Sequence, residues 1–383
     1  MGLKESNGGG IPNSAQPWFL AGMCAVVLGS TLVAGLWPFR APRNDVSWVR
    51  QGSGLVFGKH GTVVSASPLG PAGPPADQSC GLEIWLQSNR IPSSGVVLSF
   101  YQPGRKAISF LLRQFQNGLV LDRGDQTSLP NKESIYVDDV FRDSGPAFVA
   151  ITSGPSGTAV YVDGKLVRTA PTFVLSSQDL TGQLVVGGRP FTAYSWSGEV
   201  KGLAIYHREL VAGDVSQDFA GWTNGNDSNP DKSKGLAARY LFDEREGKVA
   251  HNQLDSATNL LIPERFFVFH EKFLEPAWDE FTPGWHYWKD VAVNIAGLVP
   301  LGFFFYAYLS LTWKMKWATW LTIVLGFAVS FTIEVWQAFL PTRDSGTTDL
   351  ITNTLGTAIG VLLCSWVIKS NWFARSVFPR IDA

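Results

Sequence analysis

Apolar residues gather in four long runs, and between the first and second of these lies a stretch of short alternating ones. Trp18–Trp37 (WFLAGMCAVVLGSTLVAGLW) and Val291–Trp313 carry no charge, Trp317–Leu340 carries only Glu334, and Leu350–Ile368 carries none. Each run supplies roughly the 20 predominantly apolar residues that a helix needs to cross a hydrocarbon core. The pattern predicts four transmembrane helices, over 17–37, 290–313, 317–340 and 349–368. A cleaved secretory signal would have an apolar region of only ~7 to 15 residues ending in small side chains. The greater length of the first run, and its ending GLWPF, predict a retained anchor.

Between the first two spans the periodicity changes to two. GLEIWLQS, GVVLSFYQ, AISFLLRQF, GLVLDRG, AFVAITSG, TAVYVDGKLVRT, GQLVVGGR and GEVKGLAIYHREL each read as a strand with one buried face. Asp163-Gly164, two residues that tolerate positive φ, marks a hairpin turn. Many strands at short spacing without intervening helices predict an antiparallel β-sandwich over 80–222. Around it the reading places a connector at 38–79 and a linker with a closing strand at 223–259, the latter containing the polar, turn-rich GNDSNPDKSKG. The segment 260–289 is dense in Phe, Trp and Tyr and leads into a span, which predicts an interfacial belt at the headgroups or packing under the sandwich.

Charge placement orients the spans. Lys314 and Lys316 follow the second, while Lys369, Arg375 and Arg380 follow the fourth, so those loops are expected to be cytoplasmic. Arg40, Arg43 and Arg50 argue the other way, but they precede a long domain of the kind that translocates largely regardless of charge. The expectation is a multi-pass protein with cytoplasmic tails at 1–16 and 369–383 and its large domain outside. Cys24 and Cys364 fall in spans, leaving Cys80 alone in the sandwich, so no disulfide can staple it. The formal net charge is −1 with no basic run, and nucleic acid is not an expected partner.

Polar residues within the spans converge by depth. Asp290 and Asn294 open the second span, Glu334 and Gln337 near the end of the third are three apart, and Asp349 and Asn353 open the fourth at i, i+4. Arg343 lies in the short loop between the third and fourth spans and is expected to fork between Glu334 and Asp349. Charged groups in spans are costly and face a bundle interior, so these seven residues are expected to form one cluster at the outer helix ends. That cluster either pins the helices together or forms a pocket for a polar headgroup or envelope precursor. Gly356 and Gly360 give the fourth span a small-residue face for close packing, and Pro300 and Gly302 are assigned to helix packing with them.

Two resemblances follow from these residues. CGLEIWLQ, YVDGKLV and WSGEVKGLAIYHREL resemble the laminin-G-like, concanavalin A-like lectin/glucanase superfamily, whose members bind carbohydrate or protein, with some holding calcium and some acting as glycosidases. LWPF, KDVAVNIAGLVPLGF and IEVWQAFLPTRDSGTTDLITNTLGTAIG resemble the VanZ-like membrane proteins, with Asp290, Asn294, Pro300, Gly302, Glu334, Gln337, Pro341, Arg343, Asp349, Asn353, Gly356 and Gly360 filling that family's pattern. The family is linked by name to glycopeptide resistance and envelope processes, which implies the plasma (inner) membrane of a bacterium.

A glycosidase needs two carboxylates about 5 to 10 Å apart across the scissile bond. No run of alternating acids supplies them: Glu83 stands alone in LEIW, and Asp163 is a turn residue. Asp122, Asp125, Asp138, Asp139 and Asp143 are the acids available to calcium, and they are expected to be solvated loop residues. No catalytic residue, metal or cofactor is therefore expected. The primary expectation is a non-catalytic interaction or scaffold protein whose sandwich and aromatic belt hold other membrane-protein subunits among the membrane lipids, as in a large respiratory or photosynthetic complex. The alternative is an envelope protein that binds or modifies a glycan or lipid-linked precursor, with Glu334 and Asp349 as its acid-base candidates.

Overall fold

A computed structural model describes residues 15–70, 79–105, 107–124, 134–142, 145–224, 235–269 and 273–377. The chain divides into two compact units, residues 41–270 and residues 1–40 with 271–383. The N-terminal tail up to residue 14, most of GNDSNPDKSKG, Asp125, Asp143 and Arg380 lie outside the described residues.

The strands of the first unit are, in chain order, β1 (Val46–Trp48), β2 (Leu55–Phe57), β3 (Val63–Ser65), β4 (Cys80–Ser88), β5 (Ser93–Gln102) and β6 (Ala107–Gln116). They continue with β7 (Gly118–Arg123), β8 (Ser134–Val137), β9 (Ala147–Gly154), β10 (Gly157–Val162), β11 (Lys165–Ala170) and β12 (Gln183–Val186). The series closes with β13 (Gly188–Arg189), β14 (Thr192–Ser195), β15 (Gly198–Tyr206), β16 (Leu236–Tyr240), β17 (Val249–Ala250) and β18 (Leu260–Leu261). One sheet runs β1-β2-β15-β4-β9-β10-β11, with β16 also paired to β15; a second runs β17-β18-β3-β12-β5-β6-β7-β8; and β13 and β14 form a separate two-stranded sheet. All of the pairings are antiparallel, and the core between the sheets is filled by side chains such as Leu82, Ile84, Leu86, Phe100, Phe110 and Trp196.

Local chemistry explains the register. Asp163 and Gly164 close the β10–β11 hairpin with φ of 49° and 75°, as the turn requires. At the far edge β11 exposes Lys165 and Arg168, and its pairing with β10 skips a residue, a bulge of the kind that discourages edge-to-edge association. The sheets extend well beyond 80–222. β1 to β3 come from the supposed connector, β16 and β17 from the segment read as a linker with a closing strand, and β18 from the aromatic segment; apart from β16 these strands have three residues or fewer and carry too little alternation to be read. Phe266 is likewise buried in this unit, so 260–289 is not one interfacial piece.

Helix α1 (Ala15–Leu36) belongs to the second unit, and α2 (Ala212–Asn224) to the first. The second unit continues with α3 (Ala277–Glu280), α4 (Trp285–Ala307) extended by a π-helical turn over Tyr308–Thr312, α5 (Ala318–Gln337) and α6 (Thr347–Val377). Four of these, α1, α4, α5 and α6, are long and apolar enough to cross a membrane. Charged ends did not stop two of them: α4 begins at Trp285 rather than 290, and α6 runs past Lys369. Gly356 and Gly360 on α6 lie against the backbone of Ile295 and Val299 on α4, and Gly302 on α4 lies against the backbone of Thr357, so that a Cβ at any of the three would clash. Pro300 is different. It lies on the exposed side of α4, because the helical repeat carries it away from the buried positions Leu298, Leu301 and Gly302, and it takes no part in that packing.

Candidate functional site

The polar residues at one end of the helical unit surround a cavity of about 590 Å³. Asp290, Asn294, Glu334, Gln337, Arg343, Asp349 and Asn353 all line it, joined by Thr31, Ala34 and Gly35 from α1 and by Gly297, Thr342 and Asp344. The seven residues identified from the sequence are thus brought together, with α4 carrying Asp290 and Asn294 one turn apart and α6 carrying Asp349 and Asn353 in the same way.

The hydrogen bonds differ from the expected fork. Arg343 donates to the carbonyl of Trp37, from Nε at 3.2 Å and from a terminal nitrogen at 2.9 Å. Helix α1 has just ended there, and its last carbonyls lack intrahelical partners, so a planar guanidinium finds an acceptor. Glu334, 1% exposed, instead accepts from the backbone N–H of Gly346 at 2.9 Å. Asp349 accepts from the side-chain amide of Asn294 at 2.7 Å, and Asn353 donates to the Ser330 hydroxyl at 3.0 Å. Gln337 donates to the carbonyl of Gly35 at 2.8 Å, tying α5 to α1.

Several contributors were not read from the sequence. Glu280, at the end of α3, accepts from the N–H of Thr348 at 2.9 Å. Together Glu334 and Glu280 take up N–H groups at the very start of α6, where unsatisfied donors and the helix dipole both favour carboxylates. The segment before α3 pairs with the same loop: Glu275 N–H donates to Ser345 O, and Thr347 N–H donates to Glu275 O, both at 2.9 Å. An acid in the aromatic segment just ahead of a span was the available signal for Glu280. Gly35 and Thr31 left none, because they contribute a backbone carbonyl and a surface in an otherwise apolar helix.

On the sandwich, a second groove of about 620 Å³ is lined by Tyr136, Asp138, Asp139, Arg142, Lys165 and Arg168 among others. Asp139 there accepts from Asn117 at 2.6 Å, and Asp163 accepts from the Phe148 N–H at 3.0 Å. Asp122 is buried between Arg113, at 2.8 Å, and the Ser134 hydroxyl, at 2.6 Å, rather than solvated in a loop. Among the described residues no group of three or more His, Cys, Asp or Glu side chains could hold a metal ion.

Comparison with known families matches two stretches of the chain. Residues 240–369 match the VanZ/LLP1 model, and residues 63–216 match that of the concanavalin A-like lectin/glucanases superfamily. The chain joins a VanZ/LLP1 domain to a lectin-type domain. A comparison with curated proteins returned no match. Among solved structures, a putative carbohydrate binding protein from Bacteroides ovatus ATCC 8483 is similar at 14% identity, over 58% of this chain and 58% of that one, with a TM-score of 0.38. The receptor binding domain of botulinum neurotoxin D is similar at 12% identity over 48% and 47% of the two chains, with a TM-score of 0.36. The binding domain of Paraclostridial Mosquitocidal Protein 1 is similar at 11% over 48% and 47%, with a TM-score of 0.34. The chain thus spans less than two thirds of the length of each of these structures. The VanZ/LLP1 domain and the four apolar helices make this a membrane protein with a carbohydrate-binding-type domain.

Proposed function

We propose that the protein is a non-catalytic binding protein of a bacterial plasma membrane, whose VanZ/LLP1 domain holds the polar headgroup of a membrane-embedded molecule. Both termini are cytoplasmic in this reading, and the lectin-type domain is outside. The observation that carries it is the cavity lined by all seven polar residues. Its lining holds four carboxylates, Asp290, Glu334, Asp344 and Asp349, against the single guanidinium of Arg343. Such a lining repels phosphate-rich groups and suits hydroxyl- or ammonium-bearing ones. Glu334 and Asp349 are each held by a hydrogen bond within the unit, which supports binding over acid-base chemistry. Val293, 59% exposed, and Gly297, with open space where a Cβ would be, border the cavity on α4 and leave a side entrance for a lipid.

The test is lipid analysis of the full chain purified in a mild detergent. Wild type is expected to carry a lipid with a sugar or amine headgroup, and Gly297→Phe, which fills open space, is expected to lose it while keeping its thermal stability. An unchanged lipid profile in the variant overturns the reading.

A second reading, a scaffold subunit of a larger membrane assembly, draws on α1, the least buried of the four apolar helices, with Trp18, Phe19, Val26 and Val33 exposed. Gentle solubilisation separates the two: elution within a stoichiometric assembly supports the scaffold, and elution near the chain's own mass opposes it.

A further inference from the structure

The sandwich buries a carboxyl that the binding reading does not use. Alternation along β4 sends Leu82, Ile84 and Leu86 into the core and Glu83 to the opposite face. That face is not open to water, because α2 packs Val215 and Trp222 over Phe148, Ala150 and Ala204. Glu83 is consequently 0% exposed, although a lone ionised carboxylate in such surroundings is among the costliest groups to bury.

The groups facing Glu83 come from each neighbouring element. From β15, the Tyr206 hydroxyl donates to its Oε2 at 3.1 Å, and from α2 the Trp222 indole N–H donates to the same oxygen at 3.4 Å. Asp218, one helical turn before Trp222, is the acid that faces it. Arg239 on β16 stacks on the Trp222 ring at 5.2 Å, while β9 places Ala150 opposite Glu83 in register. Lys201 on β15 is engaged by Glu199 at 2.9 Å. Burial first, and the negative charge of Asp218 second, push the Glu83 carboxyl well above the ordinary carboxylate range. The Tyr206 hydroxyl is pushed up as well and stays a donor.

We propose that Glu83 is a proton-held latch: its carboxyl keeps a proton while α2 is seated on the sheet, and losing that proton unseats α2. When α2 is unseated, Glu83 meets water and titrates in the ordinary range. Across the interval between the ordinary and the raised value, the seated form binds one proton more than the open form. Seating is therefore firmest in acid, weakens by up to tenfold per pH unit as the pH rises through that interval, and levels off above it. Opening uncovers Trp222 and the apolar strip of Phe148, Ala150 and Ala204. The fold thus carries a surface that is closed in acidic surroundings and increasingly available in alkaline ones.

Hydrogen exchange of the full chain in detergent micelles, from about pH 5 to about pH 9 with intrinsic rates corrected for base catalysis, tests this. In the wild type the opening constant of α2 amides is expected to climb by close to tenfold per pH unit over part of that range, while β5 and β12 amides stay level. Glu83→Gln keeps acceptor and donor but has no proton to lose, so its α2 profile is expected to be flat. Asp218→Asn removes the like charge and is expected to narrow the interval of climb. A wild-type α2 profile that parallels β5, or a climb that persists in Glu83→Gln, overturns the latch. If Glu83→Gln does not fold, the Asp218→Asn profile decides: an interval equal to that of wild type overturns it too.

Discussion

Arg343 binds the carbonyl of Trp37 across 306 positions of sequence, so the loop between α5 and α6 is tied to the end of α1 rather than to the carboxylates beside it. The tie is made by a charged donor, and hydrogen bonds to charged groups contribute about 1.5 to 3 kcal/mol, less where exposed. Arg343→Ala is expected to lower stability by about 1 to 2 kcal/mol and to loosen α1. Arg343→Lys is expected to recover only part of it, because an ammonium lacks the planar fork. Thermal unfolding in detergent, with cross-linking between cysteines placed on α1 and α5, checks both effects. Full stability and unchanged cross-linking in Arg343→Ala would remove the tie from the account.

The glycines at the α4–α6 contact give a second, oppositely signed pair of outcomes. Gly356→Ala and Gly360→Ala put a methyl into the backbone of α4, and overpacking of this kind costs typically about 1 to 3 kcal/mol. Pro300→Ala adds an N–H on an exposed helix side and is expected to leave stability equal or higher. Denaturant titration of the three variants measures the difference, and a Pro300→Ala loss as large as that of Gly356→Ala contradicts the assignment.

How far the sequence could be read depends on range. The period-2 runs and the four apolar windows announced both units, because each signal is local and repeated over many residues. The convergence of Asp290, Asn294, Glu334, Gln337, Asp349 and Asn353 was also legible, since a helix fixes which residues share a depth. Partners were not. Arg343 was assigned to Glu334 and Asp349 on the two helices that flank its loop, and only the fold brings Trp37 to it. Glu83 was read only as a solitary acid, because alternation reveals that β4 has two faces and not that α2 covers the second. Pro300 was assigned to helix packing with Gly302, its companion in the VanZ-like pattern, although the two lie on different sides of α4, since one residue turns a helix by about 100°.

The sandwich is expected to be stable without calcium. Of the acids that could have served, Asp122 is taken by Arg113 and Ser134, and Asp139 by Asn117. Adding a chelator should not move the melting temperature of the domain. A drop of several degrees that calcium reverses would place an ion there.

The proposed orientation can be read with a single labelled site. Cys24, Cys80 and Cys364 are all buried, so a cysteine introduced at the exposed Thr172 should dominate labelling by a membrane-impermeant maleimide. Labelling of intact cells is expected, and labelling seen only after permeabilisation reverses the topology.

Glu334 separates a capping carboxylate from a reactive one. Its Oε2 receives the Gly346 N–H in a buried loop that precedes α6, so removing the acceptor leaves a buried donor unsatisfied at a cost of about 1 to 3 kcal/mol. Glu334→Ala is therefore expected to destabilise the helical unit by about that amount. Glu334→Gln keeps an oxygen acceptor of the same reach and is expected to fold with little loss, within about 1 kcal/mol. The two variants differ again in the cavity, where Glu334→Gln lowers the carboxylate count from four to three without changing its shape. An ammonium-bearing headgroup should then be held less tightly, and a hydroxyl-bearing one about equally. The readout is the same lipid analysis applied to Glu334→Gln and wild type side by side. If Glu334→Gln is as unstable as Glu334→Ala, the charge itself holds the loop and the capping account is wrong. If Glu334→Gln is stable and its lipids are retained but turned over differently from wild type, Glu334 does chemistry and the non-catalytic reading falls.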